Sequence, residues 1–245
     1  MNIHLINLDR TPERLESFRR INSHLKKLMR FPAIDGGKLD RDALIADGAM
    51  VREVSATYAN RGLGNALSHI ELWKIAVRSG RPLTTLEDDA IVHRSFEDAA
   101  ARVVASLPGD WHLILWGWNF DHQMIFNFLP GVSACAGTFF ENDMRANWGN
   151  FQDCPFHPQA FKVFVAIGTI SYTVSPIGAR TLLDRVVPLR PLRPPYVNSG
   201  IDIAMLAEYW EMNAFACFPP LVITKNEREI SETKYSAKST SPFSN

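Results

Sequence analysis

The sequence predicts an α/β protein in which a sheet is flanked by helices. Three observations predict it. The chain opens on an apolar run, IHLINL, followed at once by a segment with helical spacing, and strand-then-helix alternation marks this class. A second amphipathic helix leads into a second strand, PLTTLEDD. The run WHLILWGW is apolar at nearly every position, as an interior strand covered on both faces must be.

The elements follow in chain order. After IHLINL, Thr11 stands as an N-cap and Pro12 at the first helical position. Leu15, Phe18, Ile21, Leu25 and Leu28 then recur at helical spacing. MRFPAIDGG reads as a second short strand ending in a glycine turn. Residues 38–61 are polar, a mixture of loop and helix. GLGNALSHIELWKIAVRSG is a helix with Leu63, Ala66, Leu67, Ile70, Trp73 and Val77 on its apolar face, closed by Gly80. SFEDAAARVVASL is a helix with Ser95 as N-cap. Residues 119–160, rich in aromatics, Gly, Pro and Asn, read as an irregular acceptor-side loop or sub-lobe. FKVFVAIGTISYTVS gives one or two strands interrupted at Gly168, PIGARTLLDRVV a helix, SGIDIAMLAEYWEM a helix and AFACFPPLV a last strand. PLRPLRPPY is stiff. Residues 1–224 thus form one domain, and 225–245 a polar, Ser-rich tail.

Composition narrows the function. The 245 residues are 46% hydrophobic and 21% charged, enough for a sizeable core. The 26 basic residues balance the 26 acidic ones, which argues against wholesale nucleic-acid binding. Cys135, Cys154 and Cys217 show neither a disulfide framework nor zinc spacing. With no signal-peptide pattern in MNIHLINLDR and no run long enough to span a bilayer, the expected location is cytoplasmic, with at most peripheral membrane contact. The basic groups Arg14, Arg19, Arg20, Lys26, Lys27, Arg30 and Arg180, Arg185, Arg190, Arg193 read either as solvated faces or as a docking surface for an anionic membrane.

RPLTTLEDDA carries the chemistry. Glu87, Asp88 and Asp89 follow a strand, and adjacent like charges resist burial. Glu87 and Asp89 point to one side and Asp88 to the other. At a strand's C-terminal end, where ligands of open α/β sheets gather, all three reach one crevice. The residues alone leave two readings open, a solvated turn and a site for a hard cation such as magnesium or manganese.

Four stretches taken in order, INLDRTPER, FPAIDGG, GLGNALSHIELWK and LEDDA, resemble glycosyltransferase family 25, which includes lipopolysaccharide β-galactosyltransferases and collagen galactosyltransferases. ISYTVSPIGARTLL and VNSGIDIAML extend the resemblance more weakly. Asn65 departs from it, standing where many members carry Cys. The resemblance implies a GT-A fold with a Rossmann-like sheet. It implies inverting transfer of galactose or glucose from a UDP-sugar to an acceptor sugar on a glycan or lipid-linked sugar, such as lipopolysaccharide or capsule, assisted by Mn2+ or Mg2+. It makes Asp89 a direct metal ligand, with Glu87 assisting, and puts Asp88 near the ribose. Asn7, Arg10 and Asp35 would line the nucleotide pocket, and Ser68 and His69 would face the donor. Arg10 or Arg14 would add a phosphate contact.

An inverting transfer needs a base. Asp202 is the candidate, with Asp121, Asp143, Asp153 and Glu208 as rivals. Ser199 with Asp202 also satisfies a helix capping box, which needs only helix physics. Trp116, Trp118 and Trp148 are either sugar-stacking residues or core anchors. His157 is the one later histidine able to complete a metal shell. Two other functions use the same residues: a non-catalytic nucleotide- or glycan-binding relative, and a metal-dependent phosphohydrolase.

Overall fold

Alternation of apolar strand and amphipathic helix builds the sheet as the chain proceeds. The computed structural model describes residues 2–191 and 200–225. Its strands are β1 (Asn2–Asn7), β2 (Leu28–Pro32), β3 (Leu83–Glu87), β4 (Ala90–Val92), β5 (Leu113–Gly117), β6 (Met124–Leu129), β7 (Ser133–Gly137), β8 (Gln159–Val165), β9 (Ser171–Val174), β10 (Ala214–Phe218) and β11 (Val222–Thr224). Its α-helices are α1 (Pro12–Ile21), α2 (Arg41–Ala46), α3 (Asn60–Ser79), α4 (Phe96–Ala105), α5 (Glu141–Asn147), α6 (Pro176–Val186) and α7 (Ile201–Leu206).

Nine strands form one mixed sheet in the order β2-β1-β3-β9-β5-β10-β8-β6-β7. β1 pairs in parallel with both β2 and β3, and β5 with β10. β9 is inserted antiparallel between β3 and β5. β4 and β11 form a separate antiparallel pair. Every residue of β5 is buried, as its unbroken apolar run requires. Leu113 and Leu115 face a core shared with Leu63, Ile70 and Trp73 of α3 and Leu182 of α6. Ile114 and Trp116 face a second core with Phe18 of α1 and Phe96 and Val103 of α4. This alternation puts helices on both sides of the sheet, the predicted fold class.

Several local expectations change. The apolar repeat of α1 suggests a helix reaching Leu28, but the helix stops at Ile21. Buried Asn22 donates to the Ala90 carbonyl at 2.9 Å and accepts from the Val92 amide at 2.8 Å, tying the chain to β4. Thr11 precedes α1 without capping it; its hydroxyl donates to the Leu8 carbonyl at 3.1 Å and accepts from Asn7 Nδ2 at 3.3 Å. Ser95 precedes α4 but bonds His93 Nδ1 at 2.8 Å. Ser175 does cap α6, accepting from the Gly178 amide at 3.0 Å. The segment 119–160 is more ordered than its composition suggests, since it holds the β6–β7 hairpin and α5. Gly168 interrupts the β8–β9 segment at φ 105°, as the sequence indicates.

α7 has only six residues, and Gly200 at its N-cap offers no side-chain cap. Ser199, the other half of the proposed capping box, lies outside the described residues, as do most of PLRPLRPPY and the tail beyond Lys225. The three cysteines are free. No described helix is long and apolar enough to cross a membrane.

Candidate functional site

The C-terminal ends of β1 and β3, the loop after β2 and the first turns of α3 surround a cleft. Close backbone packing shapes one wall. A methyl group added to Gly64 would sit 2.4 Å from the Ile34 carbonyl oxygen, and one added to Gly36 would sit 1.6 Å from that of Asn60. Ser68, fully buried, closes the joint: its Oγ accepts from the Ile34 amide at 2.9 Å and donates to the Gly64 carbonyl at 2.8 Å. The motifs FPAIDGG and GLGNALSH are thus two halves of one loop–helix contact. Ser68 holds the wall and does not line the cleft.

Glu87 ends β3, and Asp88 and Asp89 form the turn to β4. All three line the cleft, together with Asn7, Arg10 and Arg14. Asp88 is held on two sides. It accepts from Arg14 Nε at 2.8 Å and from the same guanidinium's terminal nitrogen, and Asn7 Nδ2 donates to its other oxygen at 2.7 Å. Asn7 is itself fixed by Arg30 Nε, 3.0 Å from Asn7 Oδ1. Arg30 therefore belongs to β2 and to the site's support, and not to a basic face of the first helix.

Glu87 Oε1 accepts from the Thr169 hydroxyl at 2.6 Å. Burial alone would raise the Glu87 carboxyl. The facing His69, the Thr169 hydroxyl and the charge of Arg14 outweigh burial and hold it below the usual glutamate range. Asp89 behaves oppositely. It opens onto the water of the cleft, yet protein crowds the space around it. That enclosure and the charges of Glu87 and Asp88 push it up to about 7 against the pull of Arg14. Two carboxylates that resist ionising together, one of them facing open space, suit a divalent cation. Among the described residues no cluster of three or more His, Cys, Asp or Glu forms a ready-made metal cage. The donor set fits magnesium or manganese bound by one or two carboxylates plus substrate phosphate and water. His157 is exposed and lines a separate depression with Arg102 and Ser106, so it does not complete this set.

Arg10 lines the cleft and pairs with Asp35 at 3.3 Å. Asp35 also accepts from the Gly37 amide at 3.0 Å; that bond, with Arg10 and Lys38 nearby, keeps its carboxyl low despite some burial. His69 is fully buried in α3, with Nδ1 2.8 Å from the Tyr172 hydroxyl and Nε2 3.8 Å from Glu87 Oε1. It stands behind Glu87, not on the cleft surface.

Asp202, at the start of α7, comes within electrostatic reach of Glu87. Burial first, and the charge of Glu87 next among the raising influences, hold its carboxyl above the usual range, while His122 opposes them. Its rivals separate. Asp153 pairs with Arg94 at 2.7 Å and Glu208 with Arg185 at 3.0 Å. Asp143 is exposed in the first turn of α5. Asp121 contacts His122 at 2.6 Å. Trp116 and Trp118 are buried core residues, and Trp148 lies under Lys225, with Nζ 4.1 Å from its ring centre.

Thr11, Arg61 and Asn65 also line the cleft, although the motifs gave none of them a role there. Arg61 and Asn65 are one helical turn apart, so they share a face of α3. That spacing was a readable signal, and it puts the position where Asn65 replaces the usual Cys directly on the cleft. Thr169 and Tyr172 carried no signal, because only the β3–β9 pairing brings them beside Glu87.

No curated protein matches the chain. Among solved structures it is similar to A197 from STIV, at 9% identity and TM-score 0.39, covering 88% of this chain and 81% of that one. It is also similar to mannose-1-phosphate geranyltransferase from Thermus thermophilus, at 10% identity and TM-score 0.39, covering 92% and 75%. Glycosyltransferase family 25 (LPS biosynthesis protein) matches residues 1–198, the stretch that contains β1 through α6 and every residue that lines the cleft. The chain therefore belongs to glycosyltransferase family 25.

Proposed function

We propose that this glycosyltransferase has a GT-A-type core and moves galactose or glucose, with inversion, from a UDP-sugar to an acceptor sugar of a glycan such as lipopolysaccharide or capsule. The observation that carries this reading is the meeting of Glu87, Asp89, Arg10, Arg14 and Arg61 in one cleft at the strand ends. An acidic pair beside arginines suits a nucleoside diphosphate bound with a divalent cation.

In this reading Asp89 and Glu87 hold manganese or magnesium. The cation supplies charge stabilisation for the leaving diphosphate. Arg10 and Arg61 contact phosphate oxygens, while Arg14, anchored on Asp88, sets the turn that carries the acids. Asn7 and Asp88 position the nucleoside side. Asp202 takes the proton of the acceptor hydroxyl as it attacks from the face opposite the departing UDP, which is the stereochemical requirement of inversion. A carboxylate whose pKa is raised by burial is a stronger base than a free one. Arg19 and Arg20, exposed on α1, supply peripheral attraction to an anionic membrane that bears the acceptor.

Calorimetric titration of UDP, with and without Mn2+, tests the donor site on the wild type and on Asp89→Ala. Metal-dependent binding that weakens at least about 10-fold in the variant is expected, the usual scale for losing support of a metal site. Absence of UDP binding with Mn2+ present would overturn the UDP-sugar assignment. Release of phosphate from simple esters without sugar transfer would favour a phosphohydrolase.

A further inference from the structure

Behind Glu87 lies a buried polar chain that touches no part of the cleft. Trp73 Nε1 donates to the Tyr172 hydroxyl at 2.8 Å. The same hydroxyl lies 2.8 Å from His69 Nδ1, and the two rings stack with centroids 5.6 Å apart. Trp73, His69 and Tyr172 are all fully buried. His69 Nε2 faces Glu87 Oε1 at 3.8 Å and has no hydrogen-bond partner.

Donor counting sets the direction of this chain. An indole N–H only donates, so the Tyr172 oxygen accepts from Trp73. The hydroxyl keeps one proton to donate, and His69 Nδ1, 2.8 Å away, is in reach to accept it. A neutral imidazole that accepts at Nδ1 carries its proton on Nε2. That N–H is aimed at Glu87 Oε1, the oxygen already bonded to Thr169.

We infer that Trp73, Tyr172 and His69 form a relay that locks the His69 tautomer and orients Glu87, so that Oε1, bonded by Thr169, faces the Nε2 proton of His69 and Oε2 is offered to the cleft. His69 and Tyr172 are positioning residues. They act on the donor site through Glu87, and the inference rests on the donor-site reading above only for its consequence. His69 Nε2 stands 3.8 Å from Glu87 Oε1, and a cation at this site would be met by Glu87 through its other oxygen.

Two measurements test this independently. The first is long-range 1H–15N correlation of the imidazoles in the wild-type full-length chain, with His69 assigned through contacts to the Trp73 indole and the Tyr172 ring. A proton on Nε2 and a bare Nδ1 are expected. A proton on Nδ1 overturns the relay, whatever the donor proves to be. The second is calorimetric titration of UDP with Mn2+ on Tyr172→Phe, His69→Leu and His69→Gln, each checked for a cooperative thermal transition. Tyr172→Phe and His69→Leu should weaken binding about 10- to 100-fold, the range for groups that orient a metal ligand. His69→Gln keeps an N–H in reach of Glu87 and should recover most of the loss. Folded Tyr172→Phe or His69→Leu proteins that bind as the wild type does, or a Gln variant no better than Leu, would overturn the inference. Failure of the wild type to bind UDP with Mn2+ removes the donor reading while the tautomer measurement still decides the relay.

Discussion

Asp88 and Asp89 are chain neighbours with different tasks. Asp88 is bound by Arg14 and Asn7, so its charge is neutralised within the protein. Asp89 makes no hydrogen bond or ion pair with another described side chain and is pushed up to about 7 by its surroundings and by Glu87. The guanidinium of Arg14 thus fixes the turn, and the next carboxylate is left facing the cleft. Asp202 extends the same logic. Its carboxyl is raised in the folded chain by burial and by Glu87. Below the unfolded value of about 3.9 both states are protonated and the group carries no penalty. As pH rises toward and through the raised folded value, the unfolded chain loses its proton first and stability falls. Asp202→Asn cannot ionise. Its melting temperature should match the wild type near pH 4 and exceed it at neutral pH. Sugar transfer should be lost at the same time. Thermal melts across pH check the first effect, and an unchanged difference at every pH would refute the assigned ionisation.

At the scale of elements, two joints place the cleft. Asn22 ends α1 and bonds the backbone of β4, which sets the strand that follows the acids. The second joint is the backbone contact of the 34–36 loop with α3, closed by Ser68. A glycine in the first turns of a helix normally costs about 1 kcal/mol relative to alanine. Here the space decides, since a methyl group on Gly64 meets the Ile34 carbonyl oxygen at 2.4 Å and only backbone atoms surround it. Gly64→Ala should therefore lose about 1–3 kcal/mol net, in the range of overpacked cores, instead of gaining the helix-propensity term. Urea unfolding reads this as a lower midpoint at unchanged slope. A midpoint equal to or above the wild type would show that the loop can move off the helix.

For the whole molecule, the parallel strands β2, β1 and β3 bring their ends to one edge, so residues 7, 33, 34, 36 and 87–89 meet although the chain separates them. A ligand seated there bridges three strands and the start of α3. It should therefore stabilise the entire fold and not one lobe. With UDP and Mn2+ at about 100 times the dissociation constant, stability should rise by about 2.7 kcal/mol, and the melting temperature by roughly 5–11 °C. UDP without metal should leave it nearly unchanged. Differential scanning calorimetry checks both, and a shift with UDP alone would count against the acids as cation ligands.

The sequence by itself determined the α/β class, the order of most elements and the position of the acidic turn at a strand end. Each of these follows from local periodicity, and periodicity survives without neighbours. It also carried the family, through four motifs whose spacing is a property of the chain. It did not reveal that Ser68 and the paired glycines form a loop–helix joint, that His69 lies behind Glu87, or that Asp88 is held by Arg14 and Asn7. Those facts are contacts between residues far apart in the chain. Which side of α3 faces β9, and so which hydroxyl reaches His69, is settled only when the sheet assembles and buries both. Helix caps at Thr11 and Ser95 failed for the same reason. Their hydroxyls found other partners in the folded chain, which turn them away from the first amides of the helix.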